Sequence, residues 1–238
     1  MVSKHIVSSF DTDLTDLNHL VSRLGGLAER QFAAAIEALE TRNTSNIDAI
    51  IAADKELDTL EFELNERAIE VIALRSPMAK DLRRVIVALR VAGSLERIGD
   101  YAKNIAKRNR VIIEHEASLG DNVSVARIAG LVQEMINQVL DAYANGDADL
   151  AMEVWDRDMD VDQLHTSLFR EVLEKIGENT DQVSAGSHLL FVAKNIERIG
   201  DYTTGIAEQI YYVRNGKFPD QSRPKADDSS FSAIDQNG

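Results

Sequence analysis

The hexapeptide Glu-Arg-Ile-Gly-Asp-Tyr occurs twice, at residues 96–101 and 197–202, and each copy carries two acids four residues apart: Glu96 with Asp100, and Glu197 with Asp201. A companion pair precedes each copy, Asp54/Asp58 in DKELDTLEFEL (54–64) and Asp158/Asp162 in DMDVDQLHTSL (158–168). On a helix, positions four apart share a face, so each pair presents its carboxylates together. Such carboxylates repel, and inside a fold they need a proton, an Arg or Lys, or a metal ion to neutralise them. All-oxygen ligation in a chain without Cys suits hard or borderline cations such as Mg, Ca, Mn or Fe. Inward carboxylates from neighbouring helices are how bundle proteins build multinuclear sites. The Glu-x-x-His signature of oxygen-activating di-iron bundles is absent, which argues against redox catalysis. Its nearest approach is Asp162-x-x-His165, whose counterpart in the first half is Glu61; either is a candidate extra ligand.

Burial decides between that chemistry and a simpler reading, because a lone acid pair in so acidic a chain is ordinarily a solvated helix face. The apolar spacing places the acids on core-facing stripes. Leu82, Val85, Ile86, Leu89 and Gly93 lead into Glu96 and Asp100. Ile47, Ile51, Phe62, Ile69 and Ile72 surround Asp54 and Asp58, while Ala151, Val154, Phe169 and Val172 surround Asp158 and Asp162. The stripe above Glu197 and Asp201 is less clean, mixing Val183 and Leu190 with Gly186 and Ser187. Arg97 and Arg198 are expected to pair with acids, Gly99 and Gly200 to admit close helix packing, and Tyr101 and Tyr202 to be half-buried. KRNR (107–110) is expected to complement a helix dipole. His5, His19, His115 and His188 show no metal-ligand spacing.

The elements that must position these residues are helices. Apolar periodicity is helical almost throughout, and no Pro lies between Pro77 and Pro219. Breaks at TRNTSN (41–46), Ser76-Pro77, SLGDN (118–122), Asn145-Gly146-Asp147 and Gly177–Asn179 predict helices near 11–41, 45–75, 77–114, 123–144, 147–176 and 180–214. LRVAGSLERIGDYAKNIA (89–106) and LFVAKNIERIGDYTTGIA (190–207) share 11 of 18 residues, so three helices occur twice. The expected fold is all-α: two tandem antiparallel three-helix bundles related by internal duplication, over 1–118 and 119–216. A polar, disordered tail is expected over 217–238.

With 40 acids against 26 bases, the net charge of −14 disfavours nucleic acid and anionic lipid as partners. The first residues show no signal peptide, and no apolar run is long enough to span a bilayer. A cytoplasmic, soluble protein is the default. No nucleophile elbow, P-loop or Rossmann glycine pattern occurs, so nothing points to a conventional enzyme.

Two three-helix halves, each with an acid pair on its second helix and Glu-Arg-Ile-Gly-Asp on its third, resemble the PhoU family of phosphate-transport regulators. The segment Arg75-Ser76-Pro77-Met78-Ala79-Lys80-Asp81-Leu82-Arg83 is similar to that family's first-repeat signature, and the resemblance covers about residues 10–215. It implies a cytoplasmic, usually dimeric repressor of the phosphate-starvation response. The implied partners are the phosphate ABC transporter and the sensor histidine kinase of the regulon, with membrane contact only through them. It further implies metal at Asp54, Asp58, Glu96, Asp100, Asp158, Asp162, Glu197 and Asp201, as divalent or trivalent Fe, Mn, Mg or Zn. The chain departs from the family in having Tyr after both Glu-Arg-Ile-Gly-Asp motifs and Gly205 where the first half has Asn104. The second site is therefore expected to bind metal differently or more weakly. A carboxylate-bridged metalloenzyme or a metal-storage bundle is the alternative.

Overall fold

The computed structural model describes residues 2–114 and 123–220. It contains helices α1 (Val2–Glu40), α2 (Ile47–Arg75), α3 (Lys80–Glu114), α4 (Val123–Asn145), α5 (Ala148–Asp156), α6 (Asp158–Glu178) and α7 (Val183–Asn215). One 3-10 turn, Thr180–Gln182, precedes α7, and no strand occurs among the described residues. The expected disordered tail lies, from residue 221 on, outside the described residues.

Helix α3 packs against α1 and α2, and α7 against α4, α5 and α6. The two groups join along α3 and α7 and again where α1 meets α4, so a single apolar core runs through both. The two central helices are the ones that carry the repeated hexapeptide. Gly99 lets α3 sit close against α2 and α1: a Cβ there would lie 2.3 Å from Leu57 Cδ1 and 3.0 Å from Gln31 Oε1. At Gly200 the nearest atom, Val161 Cγ1, would be 3.3 Å away, a milder version of the same contact.

Buried polar ties fix the first group. Gln31 donates to the Ile50 carbonyl at 2.9 Å, and Asn109 to the Ala35 carbonyl at 2.7 Å. Asp13, buried on α1, accepts from Arg67 at 2.7 Å and Arg75 at 2.8 Å on α2. Each satisfies a group that burial would otherwise penalise.

Several expectations need correction. Ser76 does not start a helix with Pro77: it ends α2 in the left-handed region (φ 46°), and α3 begins only at Lys80. The expected fifth helix is two, because the Arg157 N–H bonds the Val154 carbonyl and the Asp160 N–H bonds the Arg157 carbonyl, tightening the chain by i→i+3 bonds. Asp147 does cap, accepting from the N–H groups of Asp149 and Leu150 at 3.1 Å. KRNR is not a helix end, since α3 runs on to Glu114. Arg108 instead stacks 4.0 Å from the Phe191 ring, and Arg110 pairs with Asp48.

Candidate functional site

In the first group the acids lie at the edge of the core rather than in it. Asp58 is exposed, Asp54, Glu96 and Asp100 are half-buried, and Phe62 and Ile69 are 66% and 58% exposed. The apolar stripe expected around Asp54 and Asp58 is therefore not the face that α2 buries. That face is Ile47, Ile50, Leu57, Leu60, Leu64, Ala68 and Val71, turned away from Phe62 and Ile69. On α3 Val85 is buried, Ile86 and Leu89 are half-buried and Leu82 is exposed, so Glu96 and Asp100 continue a stripe that borders solvent.

A lysine holds this first cluster. Lys103, one turn beyond Asp100, donates to Asp100 Oδ1 at 2.6 Å and also to Asp54, so its ammonium ties α3 to α2. Burial works to lower the Lys103 pKa, but the hydrogen-bonded carboxylates outweigh it and raise it. Arg97 lies 3.4 Å from Asp100 and 3.6 Å from Glu96, so it pairs with acids as expected. Glu96 remains over-charged by its surroundings. Burial first, then the Asp100 carboxylate, pushes its pKa up to about 7, with Arg97 opposing and Glu61 adding a smaller push.

The second group is built differently. Asp158 and Asp162 are each 1% exposed, Glu197 is 4% exposed and His165 is 1% exposed, while Asp201 is half-buried. The break at Arg157 makes Asp158 the first residue of α6, against α7, where the Thr204 hydroxyl donates to Asp158 Oδ1 at 3.2 Å. Asp162 follows one turn later on the same face, and Glu197, Asp201 and Thr204 share one face of α7. Lys194 lies 3.0 Å from Glu197 Oε2. Here most of the expected stripe holds: Ala151, Val154 and Val172 are buried with Asp158 and Asp162, while Phe169 is half-buried.

The lysines explain the asymmetry. In the aligned repeats Lys103 corresponds to Thr204, and Lys194 corresponds to Gly93. Each half thus has one lysine by its acids, bridging two helices in the first half and one turn before the Glu in the second. Sequence reasoning singled out none of Lys103, Lys194 and Thr204. The signal was present as mismatches inside an otherwise conserved repeat.

The two hexapeptides also meet. The Tyr101 and Tyr202 rings are 5.8 Å apart, and Arg198 reaches across to the Tyr101 hydroxyl at 3.3 Å. Both tyrosines are half-buried, as expected, and they form a joint between the halves; Arg198 therefore makes a tyrosine contact where an acid was expected.

As positioned, no three His, Asp or Glu side chains among the described residues gather closely enough to hold a metal ion. The donor chemistry nonetheless differs between the halves. In the second half, buried hard-oxygen groups with a hydroxyl beside them suit a hard cation. In the first half, the Lys103 ammonium already stands between Asp54 and Asp100, so a metal there competes with it for the same oxygens.

A helical bundle with a duplicated carboxylate face defines the class. The PhoU domain matches this chain twice, over residues 21–108 and 125–210. Proteins named phosphate-specific transport system accessory protein PhoU homolog are similar along nearly the whole length. The one from Caulobacter vibrioides is 42% identical over 226 residues, 95% of this chain and 98% of that protein. The Zymomonas mobilis protein is 43% identical over 222 residues, 93% of each chain. The crystal structure of PhoU from Pseudomonas aeruginosa superimposes with a TM-score of 0.85 at 32% identity, covering 87% of this chain and all 100% of that one. The Streptococcus pneumoniae phosphate transport regulatory protein PhoU gives 0.80 at 26% identity, covering 89% and 100%. The chain belongs to the PhoU family. That is a family of accessory proteins rather than a known enzyme family.

Proposed function

We propose that this protein is an accessory regulator of phosphate-specific transport that represses the phosphate-starvation response when phosphate is plentiful. It acts as a cytoplasmic homodimer between the phosphate ABC transporter and the sensor histidine kinase, and favours the kinase's phosphatase-competent state. Among the described residues no helix is long and apolar enough to cross a membrane, so membrane contact is assigned to those partners. The observation that carries the reading is the duplicated bundle, matched in both halves by the family domain.

The carboxylates supply the metal-binding part of the proposal. Asp158, Asp162, Glu197 and Asp201 form the tighter site because three of the four are buried, where a bound cation gains most against carboxylates. Asp54, Asp58, Glu96 and Asp100 form the weaker one, since metal must displace Lys103. This reverses the order expected from Gly205 alone. A bound hard cation would neutralise the carboxylates and fix α6 against α7.

Deleting the gene tests the regulatory role. Constitutive expression of phosphate-starvation genes in phosphate-rich medium is expected, and normal repression in the deletion strain would refute it.

A further inference from the structure

At one end of the bundle, α1, α3, α4 and α7 surround a pocket of about 390 Å³. Lys80, Arg84 and Arg214 line it, with Asn18 and Tyr143, over a floor that includes Val87, Ile210 and Val213. The chain carries 40 acids and 26 bases, so three cations around one cavity run against its composition. None of the three forms an ion pair among the described residues. Arg83 lies at the same end, beside Gly216 and 6.0 Å from the Tyr212 ring, and its Nε is buried without a hydrogen-bond partner.

The placement is also electrostatically costly. Lys80 and Arg83 occupy the first turn of α3 and Arg84 follows directly, where the helix dipole already adds partial positive charge and favours acids. Only Asp81 offsets them there. A set of unpaired cations at a positive helix end is stabilised by an anion, and Arg forks match oxyanions in two-point geometry. The volume falls within the roughly 300–1,000 Å³ of small-molecule sites, and the floor is apolar. A concave site on a chain of net charge −14 suits a small anion better than an anionic membrane, which the whole surface repels.

We propose that this pocket binds a small, multiply charged phosphate compound. Its phosphates contact Lys80, Arg84 and Arg214, and its organic part rests on Val87, Ile210 and Val213. The Tyr143 hydroxyl, which donates to Asn18 Oδ1 at 3.2 Å, forms part of the rim. The site is separate from the carboxylate clusters and does not depend on metal binding there.

Titration calorimetry on the full chain tests it with ADP, tripolyphosphate, inorganic phosphate and citrate as probes, and vesicle flotation with phosphatidylglycerol as the membrane arm. ADP and tripolyphosphate are expected to bind, and inorganic phosphate more weakly. Arg84→Gln and Arg214→Gln should each weaken ADP binding about tenfold. The triple variant with Lys80→Gln should lose it, whereas Lys217→Gln, whose partner is Asp220, should not change it. These side chains make no ion pairs, so the variants are expected to melt at the wild-type temperature, and a matched melt certifies the fold. Three results would overturn the proposal: no ADP or tripolyphosphate binding by the wild type, undiminished binding by the triple variant, or citrate binding more tightly than both. Flotation with vesicles in the absence of soluble-phosphate binding would overturn it in favour of a membrane contact.

Discussion

The first half keeps its carboxylates at the solvent border and ties two helices together with Lys103, whereas the second buries Asp158, Asp162 and Glu197 and places Lys194 beside the Glu. One ancestral arrangement of acids has thus been given two means of neutralisation. Two substitutions within the repeat set where the lysines stand, Lys103 against Thr204 and Gly93 against Lys194. It teaches that a duplicated motif specifies where carboxylates stand, while the residues one turn to either side set what they face.

Removing each lysine from metal-free protein should break the comparison most visibly. Lys194→Met leaves the buried Glu197 with less compensation and is expected to cost about 2 kcal/mol, after allowance for the partly exposed lysine. Lys103→Met, among half-buried acids, is expected to cost about 1 kcal/mol. Urea melts measure both, and equal costs would mean that burial does not distinguish the halves.

The glycines give the next effect. Gly99→Ala forces a methyl against Leu57, which is itself buried, and should destabilise by about 1–2 kcal/mol even after the helix-propensity gain. Gly200→Ala needs Val161 to yield only slightly and should fall within about 0.5 kcal/mol of wild type by the same melts.

A smaller effect is read from pH. The folded Glu96 pKa of about 7 lies above its ordinary 4.5, so the folded state binds more protons between those values and stability falls as pH rises through them. In chelator-treated protein, Glu96→Gln should flatten that part of the pH profile. Gly93→Lys, which copies the position of Lys194, should return Glu96 toward the ordinary carboxylate range in an NMR titration. A wild-type profile flat from pH 4.5 to 7 would contradict this. Smallest of all, Tyr101→Phe removes one hydrogen bond from the exposed Arg198 and should cost no more than about 0.5 kcal/mol in the same melts.

Much of this was legible in the residues. Helical periodicity, the Asn145–Asp147 turn and the three helices of the first half all follow from local chemistry, which acts over a few residues. The stripe carrying Asp158 and Asp162 was readable because Ala151, Val154 and Val172 are buried with them. The stripe through Phe62 and Ile69 was misread because α2 has apolar residues on two faces, and only packing against α1 and α3 selects between them. The break at Arg157 carries no Pro or Gly, so only its hydrogen bonds reveal it. The contact between Tyr101 and Tyr202 depends on how two helices a hundred residues apart cross, which no spacing within either helix encodes.

Metal content is the most direct test of the unequal halves. Protein loaded with Mn(II) or Fe(II), desalted and measured by elemental analysis should retain metal in the wild type and in Asp54→Asn/Asp100→Asn. It should lose most of it in Asp162→Asn/Glu197→Gln, provided that variant keeps its helical circular dichroism. Retention by the second-half variant with loss from the first-half variant, or no retained metal in the wild type, would contradict the account.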